Sequence, residues 1–214
     1  MVYKAAISIF VETFKMLVQV ILLDSILLLA IVYRTSGATY ELLVADESLF
    51  SDCPSQAKGT LNQHGMFDFS NFSSSMNPDG VTIAGSMTSV WDIQPKDRVE
   101  MAISLLYLDR GTWQPTGFSM VSSDFCGKMY DDKQYWYKFW SGHIANVNDV
   151  RDKCFQRGTK LLMETYLLSL KASIMGPMRS GRYKAQINFN AFAEGGAKRP
   201  PNICFEIVGD LLRV

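Results

Sequence analysis

From Val81 to Ser122 the chain switches between apolar and small or polar residues at nearly every step, and that period of two is its strongest constraint. Val81-Thr82-Ile83-Ala84-Gly85-Ser86-Met87 is one alternating run. Val99, Met101, Ile103, Leu105 and Tyr107 form a second, with Glu100, Ala102 and Ser104 between them, and Trp113 to Ser122 is a third. Trp91 to Asp97, which contains Pro95, and Asp109-Arg110-Gly111 break the pattern. Alternation with Gly, Pro and Asp at the breaks predicts an antiparallel meander with one face buried. Its inward face carries wide, soft groups such as Met87, Met101 and Met120.

The rest of the chain continues the pattern. Thr39–Val44, the aromatic run Phe67–Phe72, Lys160–Leu170, Arg182–Ala191 and Phe205–Val208 each read as a strand. In Arg182–Ala191, Tyr183, Ala185, Ile187 and Phe189 point one way, and Lys184, Gln186, Asn188 and Asn190 the other. Asp46–Gly65 reads as loop, Met76–Gly80 as a turn, and Gly195, Gly196, Pro200 and Pro201 as one hairpin loop. About eight strands without a long central helix predict an all-β, antiparallel β-sandwich. Trp136, Phe139 and Trp140 fall at helical spacing and predict a short helical excursion between Cys126 and Cys154.

Residues 1–38 are expected to be a secretory signal helix and residues 39–214 the β-sandwich domain. Met16–Val32 is almost wholly apolar, Lys4 and Lys15 precede it, and Ser36-Gly37-Ala38 supplies the small residues of a cleavage site after Ala38. An uncleaved anchor is the alternative, although Asp24 is costly inside a stable span. Translation from Met16 would remove the positive leader end. Residues 39–214 carry 18 basic and 19 acidic residues, a formal charge of −1. Such a surface has no electrostatic drive toward nucleic acid or anionic lipid. The secreted chain holds all four cysteines, and an even count behind a leader argues for two disulfides. Of three pairings, Cys126–Cys154 closes the excursion and Cys53–Cys204 ties the ends of the domain. No cysteine has metal-ligand spacing, so no metal or cofactor is expected. Asn71-Phe72-Ser73 is a glycosylation sequon.

Catalytic chemistry is sparse. His64 and His143 both lie in polar stretches, and no nucleophile, metalloprotease or phosphate-loop motif accompanies them. Asp131-Asp132 reads as a solvated corner rather than an acid–base pair. The positive signal is apolar: nine of the eleven methionines lie beyond the leader. Thioethers conform to irregular apolar partners. A filled core and a ligand cavity share this composition, and both remain open on periodicity alone.

Trp91-Asp92-Ile93-Gln94-Pro95, then Asp124-Phe125-Cys126, then Cys154 with Gly158 four residues on, resemble the insect chemosensory protein B family. The tail Gly181-Arg182-Tyr183-Lys184, followed by Ile203-Cys204-Phe205-Glu206-Ile207, resembles both that family and the ganglioside activator protein. The resemblance covers most of residues 40–214. One departure is Phe155, where many relatives carry proline after the cysteine. It implies a lipid-recognition β-sandwich with a deep apolar cavity and no catalytic residue. It also implies secretion around gustatory neurons and a part in pheromone responses.

The expected function is therefore a secreted, non-enzymatic binder of a lipid or hydrocarbon pheromone in chemosensory perception. Ile83, Met87, Met101, Ile103, Leu105, Met120, Met163, Leu167, Ile187 and Phe189 are the candidate cavity residues, with Trp136, Phe139 and Trp140 at the mouth. The alternative is a lipid-presenting activator or co-receptor subunit, whose partner is a glycolipid hydrolase, a chemosensory receptor or a channel.

Overall fold

The computed structural model of the protein describes residues 14–28, 37–54, 56–174 and 176–214. It divides into two units, residues 1–39 with 173–178, and residues 40–172 with 179–214. In the first, residues 14–28 form helix α1, whose apolar side chains are exposed. Residues 1–13 and 29–36 of the expected signal, Ser36 of the cleavage site among them, lie outside the described residues, whereas its last residue, Ala38, opens a strand. No described helix is long and apolar enough to cross a membrane.

Most of the antiparallel β-structure lies in the second unit. In chain order the strands are β1 (Ala38–Val44), β2 (Ser51–Asp52), β3 (Phe67–Asn77), β4 (Gly80–Ser89), β5 (Arg98–Asp109) and β6 (Thr112–Ser122). Helices α2 (Phe125–Lys128), α3 (Tyr135–Phe139) and α4 (Val147–Val150) follow, then β7 (Lys160–Leu168), β8 (Lys171–Ile174), β9 (Gly181–Phe192) and β10 (Lys198–Arg213). One sheet runs β6-β5-β9-β10-β1-β8, with β2 also paired to β10; the other runs β3-β4-β7.

Local chemistry accounts for the tight hairpins. At the β5–β6 turn, Arg110 (φ 48°) and Gly111 (φ 82°) both adopt the left-handed region. Positive φ at both central positions is the turn geometry that matches strand twist. Between β3 and β4, Asn77 accepts a hydrogen bond from Asp79 N at 3.1 Å, and Pro78 helps preset the bend.

Four sequence expectations are corrected. First, Val81–Ser122 is not one meander: β4 belongs to the small sheet, and β5 and β6 to the large one. Alternation shows that each strand has one buried face, but not which sheet receives it. The connection is too long for a tight hairpin, and it carries the chain between sheets. Trp91 and Ile93 are buried within it, and Trp91 Nε1 donates to the carbonyl of Pro201 at 3.1 Å.

Second, ten strands form among the described residues rather than about eight. The expected loop Asp46–Gly65 contains β2, and β8 follows β7. Third, Pro200 and Pro201 lie inside β10. The loop is Ala193–Ala197, and the prolines occupy a bulge between Arg199 and Ile203, where a strand tolerates missing donors. Fourth, Leu167 points outward and is 46% exposed. Ile83 pairs with Tyr166 and Gly85 with Met163, so β7 carries one extra residue across from β4. That bulge puts Tyr166 on Met163's face and rotates Leu167 away.

Both sheets feed one apolar cluster. Phe67 and Met87 of the small sheet join Val99, Met101, Phe189, Ile203 and Phe205 of the large one, with Leu161 and Met163 from β7. The excursion adds Phe125, Met129, Trp136, Ile144 and Phe155. A smaller cluster of Leu49, Val81 and Ile83 packs with Phe50, Phe72, Tyr166 and Ile207.

Candidate ligand-binding interior

The inner face of the large sheet changes character along its length. At one end Val99, Met101, Phe189 and Ala191 are buried. Two residues further on, Ile103, Ala185 and Ile187 face the same way and are only half-buried, as is Met120. Ile103 pairs with Ile187 across β5–β9 and with Met120 across β5–β6. Beta9 is an internal strand, flanked by β5 and β10. Ile103 and Ile187 pack against the main apolar cluster while remaining partly accessible. Farther along, Leu105 and Tyr183 are buried again, and the Tyr107 and Tyr183 rings lie 5.0 Å apart.

The candidate cavity residues thus divide. Ile83, Met87, Met101, Leu105, Met163 and Phe189 are buried and serve as packed walls. Ile103, Met120 and Ile187 are half-buried on the same face of the large sheet, and Leu167 is exposed. Sequence reasoning passed over Ala185 and Tyr166 as lining residues. Ala185 is too small to register as a lipid contact, and Tyr166 comes inside only through the β7 bulge.

The excursion is pinned by a Cys126–Cys154 disulfide, and Cys53–Cys204 is the second disulfide. The three expected mouth residues do not act alike. Trp136 is buried in the main cluster, with its ring 5.3 Å from Phe125 and its Nε1 donating to Lys128 O at 3.0 Å. Trp140 packs against Phe67, Phe125 and Phe155. These tryptophans belong to packed core because α3 ends at Phe139, so no continuous helical face presents all three rings. Phe139 remains half-buried beside Tyr135, and its carbonyl accepts the Tyr166 hydroxyl at 3.1 Å. Phe155 is fully buried at the centre of this ring cluster.

Neither histidine makes a catalytic constellation in the contacts described. His64 sits edge-on to Phe69 at 5.5 Å, and His143 stacks on Tyr166 at 3.7 Å. Asp131 accepts hydrogen bonds from the Gln134 side chain and from Lys133 N, which hold its pKa below the usual carboxylate value. A carboxyl held ionised is a poor general acid. Among the described residues no cluster of histidine, cysteine and acidic side chains could hold a metal ion. Asn71 is exposed on the edge strand β3.

Burial raises the pKa of the Tyr166 hydroxyl, and pushes that of Tyr130 up to about 12 against the opposing charge of Arg151. Both folded-state values exceed the unfolded one, so the unfolded chain loses these protons first as pH rises. The stability they protect is intact below pH about 10 and declines above it. Urea midpoints measured across that range are expected to fall in step; a midpoint flat up to pH about 12 would show both hydroxyls to be solvated.

The fold and interior define an all-β protein of two antiparallel sheets around an aromatic and methionine-rich apolar core. No protein-family model and no curated protein matches the chain.

Proposed function

We propose that the protein is a secreted, non-enzymatic carrier of a long-chain apolar molecule, a lipid or hydrocarbon pheromone, acting in chemosensory perception. One observation carries the reading: half-buried Ile103, Ala185, Ile187 and Met120 on the core side of the large sheet. The leader pattern and the two disulfides support secretion. The resemblance to the chemosensory protein B family and the ganglioside activator supports a lipid-recognition sandwich. In the same setting Asn71 carries a glycan, which blunts the free edge of β3.

The energetics suffice. Each methylene buried contributes ~0.8 kcal/mol, so a chain of about a dozen gives roughly 10 kcal/mol before the costs of ordering. Displacement of a fluorescent fatty acid from the oxidised protein is the test. Saturable uptake is expected, and Ile187→Trp, which adds bulk on the core side of the large sheet, is expected to weaken it about tenfold or more while leaving circular dichroism unchanged. No saturable uptake by the wild-type protein refutes the proposal.

A further inference from the structure

We propose that the free edge of β6 pairs with a second copy of this chain. Phe118–Ser122 of one copy lies antiparallel to the same residues of the other, with the twofold axis at Met120. The proposal is independent of the carrier function above.

The two sheets end on β3, β7, β8 and β6, and the first three are blocked. Asp68 and the Asn71 sequon lie on β3. The excursion covers the first half of β7, where Ala145 N donates to Leu162 O at 2.8 Å and Leu162 N donates to Asn146 Oδ1 at 2.9 Å. Only four residues long, β8 holds Lys171. Charge, covering and shortness are the devices by which an edge avoids other chains. The strand β6 has such a device only in its first half. There Pro115 lacks a donor, and the register against β5 shifts where Thr116 Oγ1 donates to Leu105 O at 2.7 Å. From Ser119 to Ser122 the register is unbroken, and among the described residues no backbone other than that of β5 bonds to this stretch.

Charge identifies the occupant as a second copy. A strand laid against its own copy across a twofold axis meets its own side chains, so any charge near the axis faces its like. No charged residue occurs from Thr112 to Ser123. Burial alternates along the stretch: Phe118 and Met120 are half-buried, and Ser119 and Val121 are exposed. At 69%, Val121 is the most exposed large apolar side chain among the described residues. With the axis at Met120, the two methionines face each other on the core side and extend its apolar row. On the other side Val121 faces Ser119 of the second copy, and the two valines become diagonal neighbours. Five residues from each strand make a contact smaller than a standard interface, so the dimer is weak and depends on concentration.

Sedimentation velocity of the oxidised full-length protein over a wide concentration range tests this, with non-ionic detergent present to cover the apolar side chains of α1. A shift from monomer to dimer with concentration is expected. Val121→Lys, at a position the fold leaves exposed, sets two ammonium groups diagonally across the axis and is expected to weaken the dimer several-fold. Adding Ser119→Glu to that variant places a carboxylate opposite each introduced ammonium and is expected to recover most of the loss. Recovery of that kind requires this register and does not follow from lost apolar surface alone. A wild-type protein that stays monomeric throughout overturns the inference and leaves the edge to a strand from some other chain. A dimer indifferent to Val121→Lys, or a double variant as weak as the single one, also overturns it.

Discussion

Replacing Cys53 and Cys204 together by serine is expected to cost about 5 kcal/mol of stability. The bond joins residues separated by 151 positions. In the chain-entropy account the penalty removed from the unfolded state grows with the logarithm of the closed loop, and a loop of this size gives about 5 kcal/mol at room temperature. The Cys126–Cys154 bond spans 28 positions, for which the same account gives roughly 3–4 kcal/mol. Domains have only about 5–15 kcal/mol in all, so the first double variant stands near the edge of folding.

The folded state already supports this geometry without the bond. Ser51 and Asp52 pair with Glu206 and Phe205, which delivers Cys53 to the middle of β10. Cys204 is buried there. The cross-link therefore acts chiefly on the unfolded ensemble. Urea unfolding of both double-serine variants checks the ordering; a smaller loss for the long loop than for the short one would show substantial residual structure in the unfolded chain.

Removing one partner of the Lys184–Glu206 pair is expected to cost about 3–5 kcal/mol, whereas replacing both is expected to be close to neutral. The ammonium and carboxylate lie 2.6 Å apart, with each side chain 6% exposed. Lys184 Nζ also sits 4.9 Å over the Trp113 ring. Lys184→Met strands a buried carboxylate; Lys184→Met with Glu206→Leu leaves an apolar patch of similar volume. A double-variant cycle by urea unfolding reads the coupling directly. Single variants that lose under about 1 kcal/mol would mean that water reaches the pair.

That ion pair shows where local pattern stops. Alternation in β9 correctly assigns Lys184 to the side away from the core, and that side ordinarily meets water. Here Trp113 arrives from β6, two strands across the sheet, and covers it. No window of sequence around Lys184 contains Trp113.

The candidate site divides in the same way. Ile103, Met120 and Ile187 follow from strict alternation in β5, β6 and β9. Leu167 fails because alternation assumes an unbroken strand, and the extra residue in β7 inverts the faces beyond Met163. Trp136 and Trp140 were legible as an apolar pair at helical spacing. Their burial against Phe125 and Phe155 depends on where the excursion folds back.

By itself the sequence determined most of the strands, the apolar face of most of them, the tight turns, and an even set of cysteines suited to two disulfides. Each of these is written in neighbours a few residues apart, through side-chain period and backbone preference. Only the tertiary structure decided that β4 and β5 lie in different sheets, that β10 sits inside the large sheet, and which inner-face residues stay partly uncovered. Those outcomes rest on hydrogen bonds and packing between residues far apart in the chain, and a local pattern cannot encode its distant partner.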